Sequence, residues 1–188
     1  MRALFVLAIA AFAVAGPAYT QEFEPLRGLT GLNLDLDTEE GHSSNWSIEV
    51  CEINAIRAEV TTYRLGFHED WLPVTTLRLD NEDEQVVLQF VAGDRRPPLS
   101  ARVRLSRDGV MVEETWSTRT IDIGERVDVE VTWDSAGAIE IDVGPETWVV
   151  EMSGPPRRFG VSNSTAGTRL DPLTLGRIGE IAGCAPVA

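Results

Sequence analysis

The stretch RVDVEVTWDSAGAIEIDVGPE, residues 126–146, alternates apolar and polar side chains on either side of a short turn. Val127, Val129, Val131 and Trp133 share one side of an extended chain, with Arg126, Asp128, Glu130 and Asp134 on the other. Ile139, Ile141 and Val143 oppose Glu140 and Asp142 in the same way. A period of two belongs to the β-strand, whose successive side chains point to opposite faces of a sheet. With Ser135-Ala136-Gly137 at the turn, the stretch reads as a β-hairpin with one oily and one wet face. Such a hairpin must bury its oily face against a second layer.

The same alternation runs along most of the chain. Residues 31–37 read GLNLDLD, and Ala101, Val103 and Leu105 oppose Arg102 and Arg104. Strands are predicted at 31–37, 45–53, 57–66, 74–80, 85–92, 99–107, 110–116, 119–123, 126–134, 138–143 and 147–152, with shorter ones at 158–163 and 172–177. Asp80-Asn81, Gly93-Asp94, Asp108-Gly109, Gly124-Glu125 and Gly154-Pro155-Pro156 supply turns between them. Helical periodicity is nearly absent beyond the first 20 residues. The expected architecture is all-β, a two-sheet antiparallel β-sandwich.

Residues 1–20 differ from the rest. Arg2 is followed by an apolar run from Ala3 to Ala15 and then by small residues. The run is too short to cross a bilayer and matches a cleaved secretory signal, with cleavage between Ala15 and Thr20. Residues 21–188 then form a single β-sandwich domain, and no later segment is apolar for long enough to be a membrane helix. The mature protein is expected to be soluble and exported, to the periplasm or beyond. Basic residues are all arginine, and the Ala- and Arg-rich, Lys-free usage suggests a GC-rich bacterial genome. A net charge of −14 repels phosphate backbones and anionic membranes, so nucleic acid is excluded as a partner. Oligomeric state is not legible.

Two cysteines, Cys51 and Cys184, are expected to form one disulfide in an oxidising compartment, with two separate thiols as the alternative. The bridge would close a loop of roughly 130 residues, for which chain entropy gives on the order of 4–5 kcal/mol. Two cysteines and the isolated His42 and His68 offer no metal-ligand spacing, and no metal site is assigned.

A strand ending V-T-W-D (131–134), a turn with Gly, then I-E-I-D-V-G (139–144) resembles the central hairpin of laminin G-like and concanavalin A-like jelly rolls. Arg158-Phe159-Gly160-Val161-Ser162-Asn163 and Leu173-Thr174-Leu175-Gly176 are similar to the closing strands of that superfamily. The resemblance spans about residues 85–178 and implies a jelly roll. Val143-Gly144 stands where the superfamily has Asp-Gly. It also implies that the first and last strands lie side by side, which would bring Cys51 near Cys184. Glucanases of the same superfamily carry E-x-D-x-E or E-x-D-x-x-E on one strand, where alternate carboxylates flank a glycosidic bond. By resemblance Glu140 would be nucleophile, Asp142 its electrostatic helper and Glu146 the acid. The spacing here is one residue longer, and Gly144-Pro145 interrupts the strand.

Other constellations are simpler. Asp80-Asn81-Glu82-Asp83-Glu84 is an acidic turn at which calcium is conceivable by analogy with some laminin G-like domains, and no cofactor is assigned. Trp46, Trp71, Trp116 and Trp148 could stack on sugar rings where exposed, with at least two expected in the core. Arg95-Arg96-Pro97-Pro98 and Pro155-Pro156-Arg157-Arg158 are stiff cationic loops suited to an acidic polysaccharide. The expected function is an exported, non-enzymatic binding module for carbohydrate or another envelope or extracellular component. Its contacts are expected from Arg102, Arg104, Asp128, Glu130, Glu140 and Asp142, with Arg95, Arg96, Arg157 and Arg158 from the loops. The alternatives are a glycan-cleaving enzyme using Glu140, Asp142 and Glu146, and a structural or protein-partner module.

Overall fold

The computed structural model describes residues 22–179, all of it strand, turn or loop. In chain order the strands are β1 (Phe23–Pro25), β2 (Leu32–Asp37), β3 (Ser43–Glu49), β4 (Ala55–Leu65), β5 (Val74–Asp80), β6 (Glu84–Val91) and β7 (Leu99–Arg107). They continue as β8 (Val110–Ile121), β9 (Arg126–Trp133), β10 (Ala138–Val143), β11 (Glu146–Glu151), β12 (Arg158–Ser164) and β13 (Ala166–Ile178). A seven-stranded sheet runs β1-β13-β4-β9-β10-β11, with β2 also on β13, and a six-stranded sheet runs β3-β12-β5-β6-β7-β8. Every strand pair is antiparallel. The all-β, two-sheet expectation is met.

The alternation of the sequence becomes the core. Val127, Val129, Val131 and Trp133 of β9 and Ile139, Ile141 and Val143 of β10 are buried against Leu88, Phe90, Val103 and Leu105 of the other sheet's cluster. Each such side chain, fully buried, contributes about 1.5–3 kcal/mol. Between the layers sits a small polar knot. Asn163 Nδ2 donates to the carbonyls of Leu36 (2.8 Å) and Ala166 (2.6 Å), and Thr75 Oγ1 donates to Asn163 Oδ1 at 3.0 Å. These bonds satisfy groups that burial would otherwise penalise and tie the two sheets in one register.

The β9–β10 turn follows from Asp134 and Gly137. Asp134 Oδ1 accepts from the backbone N–H groups of Ala136, Gly137 and Ala138 at 2.9, 2.8 and 3.0 Å. Gly137 has φ +101°, and a Cβ there would stand 2.6 Å from the Met152 carbonyl oxygen. Only glycine fits.

Four segments differ from the sequence reading. Residues 110–116 and 119–123 belong largely to one strand, β8. Its polar middle hides an irregularity in which Ser117 Oγ accepts from Arg119 N (2.9 Å) and donates to Arg119 O (2.8 Å). The strand read at 172–177 begins at Ala166, because a register shift between Leu170 and Leu173, at Pro172, disguises the alternation. Strand β3 ends at Glu49 and turns before Ile53. β1, three residues long, is too short for a period to show.

Candidate functional site

The two outer faces of the sandwich are chemically unlike, and the residues predicted from sequence as one contact surface divide between them. Asp128, Glu130, Glu140 and Asp142 lie on β9 and β10, on the outside of the seven-stranded sheet, whereas Arg102 and Arg104 lie on β7, outside the six-stranded sheet. Alternation told which side of its own strand each residue takes. It could not tell that β7 and β9 belong to different sheets.

The six-stranded sheet sets its outward residues in cross-strand rows. Register places Asn45, Ser162, Thr76, Gln89, Arg102 and Trp116 side by side from β3 to β8. The adjacent row runs Ser47, Gly160, Arg78, Val87, Arg104 and Glu114. The first row is wired together: Arg102 Nε donates to Gln89 Oε1 (2.8 Å), Gln89 Nε2 donates to Thr76 Oγ1 (3.1 Å), and the Arg102 guanidinium lies 4.8 Å from the Trp116 ring centroid. Trp116 remains 44% exposed. Glu114 Oε1 is shared, 3.1 Å from Arg102 Nη1 and 3.5 Å from Arg104 Nε. Burial first, and the Arg104 charge next, pull the Arg102 pKa below its ordinary value.

Arg78 lies across Gly160, where an added Cβ would touch Arg78 Nη2 at 3.6 Å. Its Nε is buried and 2.9 Å from Asp80 Oδ2, but not aligned to donate a hydrogen bond to it. At the β5–β6 end of this face a cleft of about 430 Å³ is lined by Arg78, Asp80, Gln85, Ser106 and Arg158 among others. That volume lies in the range of small-molecule pockets.

A larger groove, about 840 Å³, opens on the other face between Phe23, Pro25, Arg57, Asp128, Glu130, Asp142 and Pro172. Size favours it, but its polar groups are largely committed to one another. Arg57 pairs with Glu130 at 2.8 Å and stacks 4.2 Å from the Phe23 ring, Arg126 pairs with Glu59 at 3.0 Å, and Asp142 accepts from Thr147. The six-stranded face offers the more exposed aromatic of the two sheets, Trp116 at 44% against Tyr63 at 36% on β4, where the Tyr63 hydroxyl is already bonded to Asp35.

Glu140, Asp142 and Glu146 are not gathered into one catalytic arrangement. Glu140 and Asp142 share the outer face of β10, whereas the Glu146 carboxylate is turned to β8, accepting from Thr118 N at 3.0 Å and from Thr118 Oγ1. Hydrogen bonds from Ser117 and then Thr118 lower its pKa. A general acid needs the opposite shift.

The stiff loops stand at opposite ends of the six-stranded sheet. Arg95 and Arg96 follow β6 beside the Val74 end of β5, and Arg95 donates to the Glu69 carbonyl and sits 5.7 Å from the Phe67 ring. Arg157 and Arg158 flank the other end, where Arg157 N donates to Asp80 O at 2.8 Å and Arg157 Nη1 meets Glu82 Oε1 at 2.7 Å. Trp71, 40% exposed, lies in the β4–β5 loop. Trp133 is buried, and Trp46 and Trp148 pack on the core.

The acidic turn is occupied by its own backbone. Asn81 Oδ1 accepts from Asp83 N (3.1 Å) and Glu84 N (2.8 Å), and the buried Glu84 carboxylate accepts from Arg107 and from Ser153. No group of three or more potential metal ligands occurs among the described residues. Cys51 lies in the turn after β3, and Cys184 falls outside the described residues, as do residues 1–20.

Sequence reading found Arg102, Arg104 and Trp116 but missed Arg78, Gln89, Asn45 and Ser162. The parity of 74–80 and 85–92 puts Arg78 and Gln89 outward. Nothing in the sequence says that β12 inserts between β3 and β5.

No protein-family model matches the sequence, and no curated protein matches it. Solved structures do. The carbohydrate binding module CBM66 from Bacillus subtilis superposes with a TM-score of 0.52 at 11% identity, over 79% of this chain and 94% of that one. An alginate lyase from Alteromonas sp. 272 gives 0.54 at 10% identity, over 84% and 94%. CG-16, a homodimeric agglutinin from chicken liver, gives 0.51 at 7% identity, over 70% and 99%. The chain is folded as a concanavalin A-like jelly-roll β-sandwich.

Proposed function

We propose that the protein is an exported carbohydrate-binding module whose binding surface is the outer face of the six-stranded sheet. The observation that carries this reading is the row Asn45, Ser162, Thr76, Gln89, Arg102 and Trp116, which sets hydrogen-bonding side chains in line and ends in an exposed indole. Sugars present hydroxyls at their edges and apolar C–H faces. A polar ladder beside an open aromatic matches both. Two of the similar structures, a carbohydrate binding module and an agglutinin, are in keeping with it. Export rests on the signal-like run at residues 1–20, and the bacterial periplasm or its exterior is the proposed location.

Binding without cleavage fits the same side chains. Neither row presents a histidine or tyrosine to move a proton, and the acidic trio of the opposite sheet is dispersed. A bridge from Cys51 to Cys184 is part of the proposal. Supporting it, Asn54, three residues after Cys51, grips the end of β13, donating from Nδ2 to Ile178 O (3.0 Å) and accepting from Ile178 N (2.7 Å), and Cys184 follows Ile178 by six residues in the sequence.

The test is affinity electrophoresis through gels carrying neutral and acidic polysaccharides, paired with Trp116→Ala. The protein should be retarded by at least one polysaccharide, and the variant, with unchanged melting, should bind about tenfold more weakly, as for loss of an aromatic anchor. A variant that binds like the parent removes the face assignment. Free migration through every gel removes the reading itself.

A further inference from the structure

We infer that the ligand of this face is an anionic polysaccharide, its carboxylate or sulfate groups received by Arg78, Arg102 and Arg104. The inference rests on the carbohydrate-binding reading and narrows it to a chemical class. The two central rows hold three guanidiniums and one carboxylate, Glu114, in a chain whose net charge is −14. The seven-stranded sheet has the reverse balance on β4, β9 and β10: Glu59, Asp128, Glu130, Glu140 and Asp142 against Arg57, Arg64 and Arg126. A cationic strip on an acidic molecule is a local arrangement. General stickiness toward polyanions is suppressed by the overall charge, so an anionic glycan is held only where the strip meets it.

The acidic partners of these guanidiniums are few. Glu114 divides one carboxylate oxygen between Arg102 and Arg104, and the second partner of Arg104 Nε is a thioether, Met111 Sδ at 3.2 Å. Among the described residues Arg78 is ion-paired with Asp80 through its buried Nε, 2.9 Å away without an aligned hydrogen bond, while the side chain as a whole stays 39% exposed for a ligand to reach. Asp80 itself also accepts from Gln85 Nε2 at 2.9 Å and lies 3.9 Å from Arg158 Nε. Guanidinium groups left this way satisfy themselves best on oxyanions, which they can grip through two parallel N–H bonds. Arg78 and Arg104 share a row with one strand between them, about 9–10 Å apart at the backbone. Arg102 and Arg104 stand two residues apart on β7, about 7 Å. The three are therefore spread over a surface wide enough for charges on different sugar units of one chain. Trp116, at the end of the row beyond Arg102, leaves its exposed indole beside the strip to take a ring face.

Two matched pairs of polymers test this: polygalacturonate against its carboxyl-reduced form, and dextran sulfate against dextran. Each is run in affinity electrophoresis with the parent, Arg78→Gln, Arg104→Gln, and Arg126→Gln as the control on the opposite face, all checked for parental melting. The expected result is retardation by at least one anionic member and not by its neutral partner. Arg78→Gln and Arg104→Gln should each weaken it about tenfold, as for loss of a charge-assisted hydrogen bond, with Arg126→Gln unchanged. The pair that responds separates carboxylate from sulfate. Equal retardation by charged and neutral members overturns the anionic inference and leaves carbohydrate binding standing. Anionic retardation that the Arg78 and Arg104 variants leave intact overturns the assignment of these arginines as its receivers. If all four polymers pass unbound, the anionic inference fails; the wider set of gels and Trp116→Ala decide the parent reading separately.

Discussion

Glu84 is buried at the start of β6, and burial alone would raise the pKa of its carboxyl. Hydrogen bonds from Ser153, Arg107 and Asn81 outweigh that and bring it down to about 2, from an ordinary value of 4.5. A depressed carboxylate stabilises the fold at pH values above its unfolded pKa. That contribution is lost as the pH falls from about 4.5 toward 2. Glu84→Gln keeps the shape but removes the charge that Arg107 and Ser153 address. It should cost about 2–3 kcal/mol at pH 7, read as a lower melting temperature. The gap to the parent should narrow steadily in melts taken below about pH 4.5; a gap that does not change with pH would mean the charge is immaterial.

Elements were read well where alternation is clean and poorly where it is interrupted. β9 and β10 are visible because every Val, Ile and Trp of the two strands is buried and every polar residue is exposed or half-exposed. β13 was cut short because Asp171 and Pro172 break its period at the register shift. Strand order was not legible at all: neighbours in the six-stranded sheet such as Ser162 and Thr76 are distant in sequence, and pairing is decided by packing of the whole. This is why alternation shows Arg102 and Arg104 to be outward but not that Asp128, Glu130, Glu140 and Asp142 lie on the other sheet. The end of β13 carries its own prediction. Asn54, three positions along the chain from Cys51, holds its last residue, Ile178, and the proposed bridge to Cys184 is testable by mass. The intact mass of exported, unreduced protein should be about 2 Da below the dithiol value, and the same mass reports whether residues 1–20 have been removed. Two thiols alkylated in denatured, unreduced protein would refute the bridge.

At the scale of the molecule, the jelly roll supplies two large sheets and thereby two separate outer faces. One carries self-paired charges around a groove, Arg57 with Glu130 and Arg126 with Glu59. The other carries a wired polar row, an open indole and three guanidiniums that share Glu114 and Asp80 as acidic partners. Backbone amide NMR of the labelled protein, titrated with a galacturonate oligosaccharide, distinguishes them directly. The account predicts shifts concentrated on β5, β6, β7, β8 and β12, around Arg78, Gln89, Arg102, Arg104, Trp116 and Ser162. Shifts centred instead on Arg57, Glu130 and Asp142, on the opposite sheet, would contradict it.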